Sequence, residues 1–203
     1  MRDRQIPYIL LWSYRANSAH AIVGFDNRAA ARQMADRVLA FGHRNIAMLA
    51  GVTTWNDRAV GRIEGVRDAL AAVDIDLAAP YLMEAPYSVD ASFEAAKTLL
   101  ALTPRPTAII CGNDVQAAGA LHAVRDGGLT VPDDVSVVGF DDIELARAVE
   151  PPLTTVQVPH RRMGRAAAKH LLDMINSNEP GDRMNFETSI VERRSLSSPP
   201  NRH

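Results

Sequence analysis

Two β-branched apolar runs that stop abruptly at acidic or amide side chains set the tightest limit on how this chain can fold. They are Thr107-Ala-Ile-Ile-Cys-Gly-Asn-Asp114 and Val135-Ser-Val-Val-Gly-Phe-Asp-Asp142. In an open parallel sheet, ligands bind in the crevice beyond the carboxyl ends of the strands. Neighbouring strands that end this way place polar groups at the mouth of such a crevice. Nothing beside them has the pattern of a nucleophile, a metal cage or a phosphate loop. The runs therefore point to binding of a small polar molecule rather than to a reaction centre.

The rest of the chain supplies the alternation that a parallel sheet needs. Ile6 to Leu11 and Ala21 to Phe25 read as strands. A helix from Arg28 to Phe41 carries Ala31, Met34, Ala35 and Val38 at helical spacing and stops at Gly42. A strand from Ile46 to Ala50 leads to a helix from Asp57, the expected N-cap, to Ala72. A short strand, Tyr81 to Glu84, precedes a helix expected to be capped by Asp90. Another helix runs from Val115, behind a capping Asp114, to Asp126 and ends at Gly127-Gly128. From Ala50 onward each strand is followed by one helix, the signature of a parallel sheet covered on both faces. The pattern then breaks. Pro151 to Pro159 is extended, as a strand crossing between lobes would be; Met163, Ala167, His170, Leu171 and Met174 form a helix face; Met184 to Leu196 reads as a final strand.

The front of the chain fits less well. Parallel strands need a crossover of about a dozen residues, and Trp12 to His20 is too short for a helical one. Two strands alone rarely make an independent sheet. The first lobe therefore reads as the second half of something larger.

Composition narrows the function. With 203 residues, 47% of them apolar, the chain can build a real core. A net charge of -2 argues against a basic nucleic-acid surface on this segment. The single cysteine, Cys111, sits in an apolar run and reads as a core residue, consistent with a reducing cytoplasm. The N-terminus lacks a signal-peptide pattern, and no run is long enough to span a bilayer. His43, His122, His160 and His170 show no metal-ligand spacing. No catalytic residue, metal or cofactor is expected.

Individual candidates carry competing readings. Asp141 at a strand end can accept hydrogen bonds from ligand hydroxyls or ring N–H groups, or cap a turn; Asp142 is the better candidate for capping. Asn113 can donate and accept at once, which suits a sugar hydroxyl, or form a local turn. Arg62 could reach over the crevice with its planar fork of donors. From spacing alone, pairing with Glu64 or Asp68 at the surface is preferred for it. Trp55 and Tyr87 could stack on a flat ligand or pack between lobes. Arg161-Arg162 and Arg193-Arg194 read as solvated faces.

Several segments together resemble one family. Val23-Gly-Phe-Asp-Asn27, Leu39-Ala-Phe-Gly-His-Arg-Asn-Ile-Ala-Met-Leu-Ala-Gly51, Gly61-Arg-Ile-Glu-Gly65, Ala108 to Asp114, Val131 to Asp142, Pro151-Pro-Leu-Thr-Thr155 and Ile190 to Ser195 look like the effector-binding core of LacI/GalR bacterial transcription regulators. The resemblance implies an α/β, periplasmic-binding-protein-like type I fold: two parallel-sheet lobes, three crossovers, the first lobe incomplete in this N-terminally truncated chain. Residues 1–42 and 154–182 are expected in the partial N-terminal lobe, 43–153 and 183–196 in the C-terminal lobe, and 197–203 in a frayed tail. It implies a cytoplasmic homodimer, probed by a small effector such as a sugar or sugar derivative, that meets operator DNA through a headpiece absent from this chain, with no membrane partner. Carried over by position, it makes Arg62 and Asp141 effector-binding residues, Asn113 a polar contact, Tyr87 an aromatic platform and Asn56 a specificity side chain. This reverses the preference at Arg62. A solute-binding protein of a transport system is the second reading, and a sugar-modifying enzyme a third.

Overall fold

The computed structural model describes residues 6–177 and 181–200. Its elements are β1 (Leu10–Leu11), β2 (Ile22–Gly24), α1 (Asn27–Ala40), β3 (Ile46–Gly51), α2 (Asp57–Ala71), β4 (Leu82–Ala85), α3 (Val89–Leu100), β5 (Ala108–Cys111), α4 (Asp114–Asp126), β6 (Ser136–Asp141), α5 (Leu145–Ala148), β7 (Thr154–Gln157), α6 (His160–Ser177), β8 (Arg183–Asn185) and β9 (Ser189–Val191). They form two sheets, one ordered β1-β2-β8 and one ordered β4-β3-β5-β6-β7-β9. The chain passes between them three times, after β2, after β7 and after β8.

The larger sheet is parallel except for β9, which runs antiparallel to β7. Alternate residues of its strands feed two cores. Met48, Ile110 and Val138 join the core that includes α1 and α2. Leu49, Ile109 and Val137 face the other way, into the core with α3, α4 and α5. This is the period-two alternation of a strand covered on both faces. The strand order reverses between β3 and β5, since β4 lies outside β3 while β5 and β6 follow on its other side. In doubly wound sheets that reversal opens a crevice at the carboxyl ends of the strands.

The expected division of the chain between lobes needs correction. Helix α1, placed by the sequence in the first lobe, packs on α2 and belongs with the larger sheet. Small residues make this possible: a Cβ on Gly65 would collide with the backbone of Arg28 and Arg32. β7 (154–157) also lies in the larger sheet, and β8 (183–185) in the smaller one. The single final strand expected from Met184 to Leu196 is thus two strands in different sheets. Residues 178–180, assigned to the first lobe, and 1–5 lie outside the described residues.

The front of the chain also departs from expectation. β1 and β2 pair in parallel, Leu10 opposite Ile22, without an intervening helix. Leu10, Trp12 and Tyr14 donate backbone N–H groups to Ala21, Val23 and Phe25. The overlap is so short that an irregular return of a few extended residues, at about 3.3–3.6 Å each, spans it. β8 then completes a three-stranded sheet.

The tail is not frayed where it is described. Ser195 and Leu196 are buried. The carbonyl of Ser197 accepts from His43 Nε2 at 2.8 Å, while Thr107 Oγ1 lies 2.9 Å from its Nδ1. Burial lowers the His43 pKa, partly opposed by that bond to Ser197. Residues 201–203 lie outside the described residues.

The Gly65 contact yields a prediction. Gly65→Ala must separate two backbones rather than move a flexible side chain, so it should cost about 1–3 kcal/mol of stability. Urea denaturation followed by circular dichroism measures this, and an unchanged midpoint would contradict the close packing of α1 on α2.

Candidate functional site

The carboxyl ends of β3, β5 and β6 converge where the strand order reverses, and Arg62 reaches into that point from α2. The loop from β3 turns into α2 at Asn56, whose side chain accepts from Ala59 N and caps the helix. Asp57, the expected cap, is the first helical residue instead. Arg62 lies on the inner face of α2, is 7% exposed, and points away from Glu64 and Asp68, which pair with Arg28. The surface reading of Arg62 is therefore wrong. Its guanidinium donates from Nε to Asn27 Oδ1 at 2.9 Å, from Nη1 to the Gly112 carbonyl, and from Nη2 to Asp141 Oδ1 at 3.3 Å. Its face lies 3.7 Å above the Phe140 ring.

Asp141, the last residue of β6, and Asp142 just beyond it have φ of 108° and 54°. Two successive non-glycine residues in this region cost on the order of 1–3 kcal/mol each and cluster at functional sites. The turn sends the two carboxylates to different partners. Asp141 meets Arg62 and retains some solvent exposure, 22% of its side chain. Burial pushes the Asp141 carboxyl up and the Arg62 guanidinium down, and their mutual attraction opposes both shifts. Asp142 is engaged by side chains rather than by a helix end among the described residues: its carboxylate is 2.6 Å from Arg193, 2.9 Å from Gln157 Nε2 and 3.5 Å from Arg147. Arg193 also donates to the Leu153 carbonyl, so it is a half-buried tie rather than a fully solvated charge.

The cap of α4 is Asn113 and not the expected Asp114. Asn113 caps α4 through Gln116 N, while Asp114 turns inward and is 1% exposed. Asp114 accepts from Thr155 Oγ1 at 2.6 Å and from Ile143 N at 2.9 Å, tying the end of β5 to β7 and to the turn after β6. Burial, only partly offset by these bonds, raises its pKa from 3.8 to about 7. Gln116, which the sequence reading passed over, donates to the carbonyls of Ala50 and Ala85 at 2.9 Å each and clamps the ends of β3 and β4.

Tyr87 lies over the end of β3, where Gly51 leaves space that a Cβ would take. Asn56 Nδ2 donates to the Tyr87 hydroxyl at 3.3 Å. The five candidates thus gather along one edge: Arg62 with Asp141, Asn56 with Tyr87, and Asn113 next to the Gly112 whose carbonyl Arg62 holds. Trp55 neither packs between lobes nor joins them, being fully exposed. The α3 cap is Ser88, without a side-chain bond, and Asp90 lies in the first turn.

Three further residues join the site, Asn27 and His160 at crossovers between the sheets and Trp12 from the smaller sheet's own β1–β2 connection. Asn27 holds Arg62; His160 Nε2 lies 2.8 Å from the Asp141 carbonyl; Trp12 packs its ring 5.2 Å from that of His160. The signal for Asn27 was present, since Phe25-Asp26-Asn27 ends a strand on polar residues just as β5 and β6 do. Where the lobes face each other, a cavity of about 420 Å³ is lined by Ser13, Tyr14, Asn27, Asp57 and Gly61 among others. Among the described residues no group of three or more His, Cys, Asp or Glu could hold a metal ion, and no helix is long and apolar enough to cross a membrane.

Residues 35–196 match the family described as periplasmic binding protein-like domain. The LacI transcriptional regulator of Bacillus cereus subsp. cytotoxis NVH 391-98 superposes with a TM-score of 0.90 at 30% identity, covering 97% of this chain and 70% of that one. This chain belongs to the LacI family. The HTH-type transcriptional repressor PurR of Salmonella newport (strain SL254) is 34% identical to this LacI-family chain over 199 residues, 97% of the chain and 58% of the relative. The transcriptional regulator CelR, solved with cellobiose, is 32% identical with a TM-score of 0.86, covering 93% of this chain and 58% of that one. The chain thus spans a little under three fifths of the curated relatives it matches.

Asp114 offers a pH test in this LacI-family fold. A carboxyl whose folded pKa lies above its unfolded value holds its proton more tightly in the fold. Its contribution to stability is therefore present below about pH 4, is lost as pH rises towards 7, and is level beyond. Asp114→Asn should remove that decline, so the stability gap between the two proteins should change by roughly 2–4 kcal/mol between pH 4 and pH 8. Parallel denaturation profiles for the two would contradict the assignment.

Proposed function

We propose that this chain is the effector-sensing region of a DNA-binding transcriptional regulator, a repressor in the most direct reading. A small polar ligand, a sugar or sugar derivative, would bind between the two lobes. Arg62, Asp141, Asn113, Tyr87 and Asn56 would contact it. The observation that carries this reading is the buried Arg62–Asp141 pair at the sheet's reversal point, with Asp141 still partly open to solvent. Charged hydrogen-bonding groups held rigidly at low exposure suit recognition of hydroxyl or ring N–H groups. The identified relatives are regulators, which favours this function over a transport solute-binding protein.

Lobe closure on the ligand would shift a conformational equilibrium by no more than the ligand's differential affinity for the two states. DNA recognition would reside in the portion of such a regulator that this chain does not span. The working form would be a cytoplasmic homodimer whose geometry transmits closure.

Thermal unfolding of the chain in the presence of cellobiose, ribose, nucleosides and purines tests the site. A true effector should raise the melting temperature with concentration, by about 2.7 kcal/mol of stability at one hundred times its dissociation constant. Asp141→Asn keeps the shape but removes the charge, and should weaken binding at least about tenfold. An equal response in parent and variant would remove Asp141 from the site; no response to any sugar would remove the proposed ligand class.

A further inference from the structure

Arg62 is oriented by three in-plane acceptors that come from three different segments. Two of them, the Gly112 carbonyl and Asp141, sit on strand ends of the larger sheet. The third, Asn27, is different in kind. It is the first residue of α1, immediately after the crossover from β2, and is 5% exposed. Asp26 already caps α1 through Ala29 N at 2.9 Å, so the Asn27 side chain has no capping role.

The Asn27 carboxamide can sit in one orientation only. Its Nδ2 is 2.9 Å from the Trp12 carbonyl, which only accepts, and its Oδ1 is 2.9 Å from Arg62 Nε, which only donates. Trp12 belongs to the smaller sheet's lobe, following β1 with φ of 76°. A second arm runs in parallel. The Trp12 ring packs on His160, the first residue of α6, and His160 Nε2 donates to the carbonyl of Asp141. Arg62, Asn27, Trp12, His160 and Asp141 thus form a closed circuit that crosses between the lobes twice.

We propose that Asn27 is a positioning residue through which the smaller lobe sets the orientation of the Arg62 guanidinium. It touches no ligand in this scheme. When Trp12 moves with its lobe, the carboxamide transmits the displacement to Nε and turns the fork that faces Asp141. This inference rests on the effector-cleft reading for its purpose, but its physical content is independent of any ligand: Trp12 and Arg62 are coupled, and Asn27 carries the coupling.

The test uses the full chain with Trp55→Phe. The chain has two tryptophans, so Trp12 becomes the sole tryptophan and is excited selectively at the red edge beyond tyrosine absorption, and Trp55 is fully exposed. Acrylamide quenching of Trp12 is measured for Arg62→Lys with Asn27 present, and again with Asn27→Ala or Asn27→Asp. With Asn27 in place, Arg62→Lys should change the quenching constant by about 1.5- to 2-fold; with either substitution that change should vanish, as expected for a non-additive pair linked through one residue. Asn27→Asp keeps an acceptor for Arg62, adds a charge there, and replaces the donor to Trp12 with an oxygen that cannot bond its carbonyl, so it too breaks the link to Trp12 and decides the matter if Asn27→Ala does not fold. An Arg62→Lys effect of equal size with and without Asn27, or none at all in the parent, overturns the proposal. Because no ligand is present, loss of the relay and loss of the effector reading give different results: the first leaves sugar-induced stabilisation intact with no Trp12 response, the second leaves the Trp12 response with no stabilisation.

Discussion

A guanidinium buried to 7% exposure is the constraint around which the rest of this structure is arranged. Removing such a charge from water costs several kcal/mol unless every donor is met. Here Asn27, the Gly112 carbonyl and Asp141 meet its edges, and Phe140 meets its face. Each partner lies on a different segment, so satisfying Arg62 fixes α1, the end of β5 and the end of β6 relative to α2. The unusual backbone at Asp141 and Asp142 belongs to the same arrangement, since it parts two adjacent carboxylates, one towards Arg62 and one towards Arg193.

The same region joins the two lobes. One core runs from Met48 and Val66 through Phe25, Val156 and Val158 to Met163 and Ala167, so apolar packing is continuous along the crossovers. Phe25 stacks on Phe140, with ring centroids 6.0 Å apart, directly beneath the guanidinium. The crossovers therefore share packing and hydrogen bonds with the candidate site. Moving the lobes must disturb either packing at Phe25 and Val158 or the hydrogen bonds at Asn27 and His160.

Much of this was legible from local pattern. Strand and helix order along the larger sheet follow from runs such as Ile46 to Gly51 and from helical faces such as Ala59, Ile63, Val66 and Leu70, because burial on two faces leaves a periodic trace. The gathering of polar groups at strand ends was legible for the same reason: a parallel sheet puts all its carboxyl ends on one side. Capping was read less well. Asn56 rather than Asp57, and Asn113 rather than Asp114, close their helices, because an adjacent pair of polar residues offers two possible caps and local chemistry does not choose between them. Asp114 is drawn inward by Thr155, some 41 residues away in sequence, a partner that no short window contains.

What the sequence determined alone is periodic and local: an α/β chain with a parallel sheet, polar strand ends, and Arg62 and Asp141 as the pair to watch once the family resemblance was added. What tertiary structure decided is the partition of the chain. Helix α1 goes to the larger sheet because Gly65 lets two backbones approach, β8 and β9 divide between sheets, and the tail docks on His43. These depend on contacts between residues distant in sequence, whose strength comes from fit and from shared burial, and neither leaves a periodic mark along the chain.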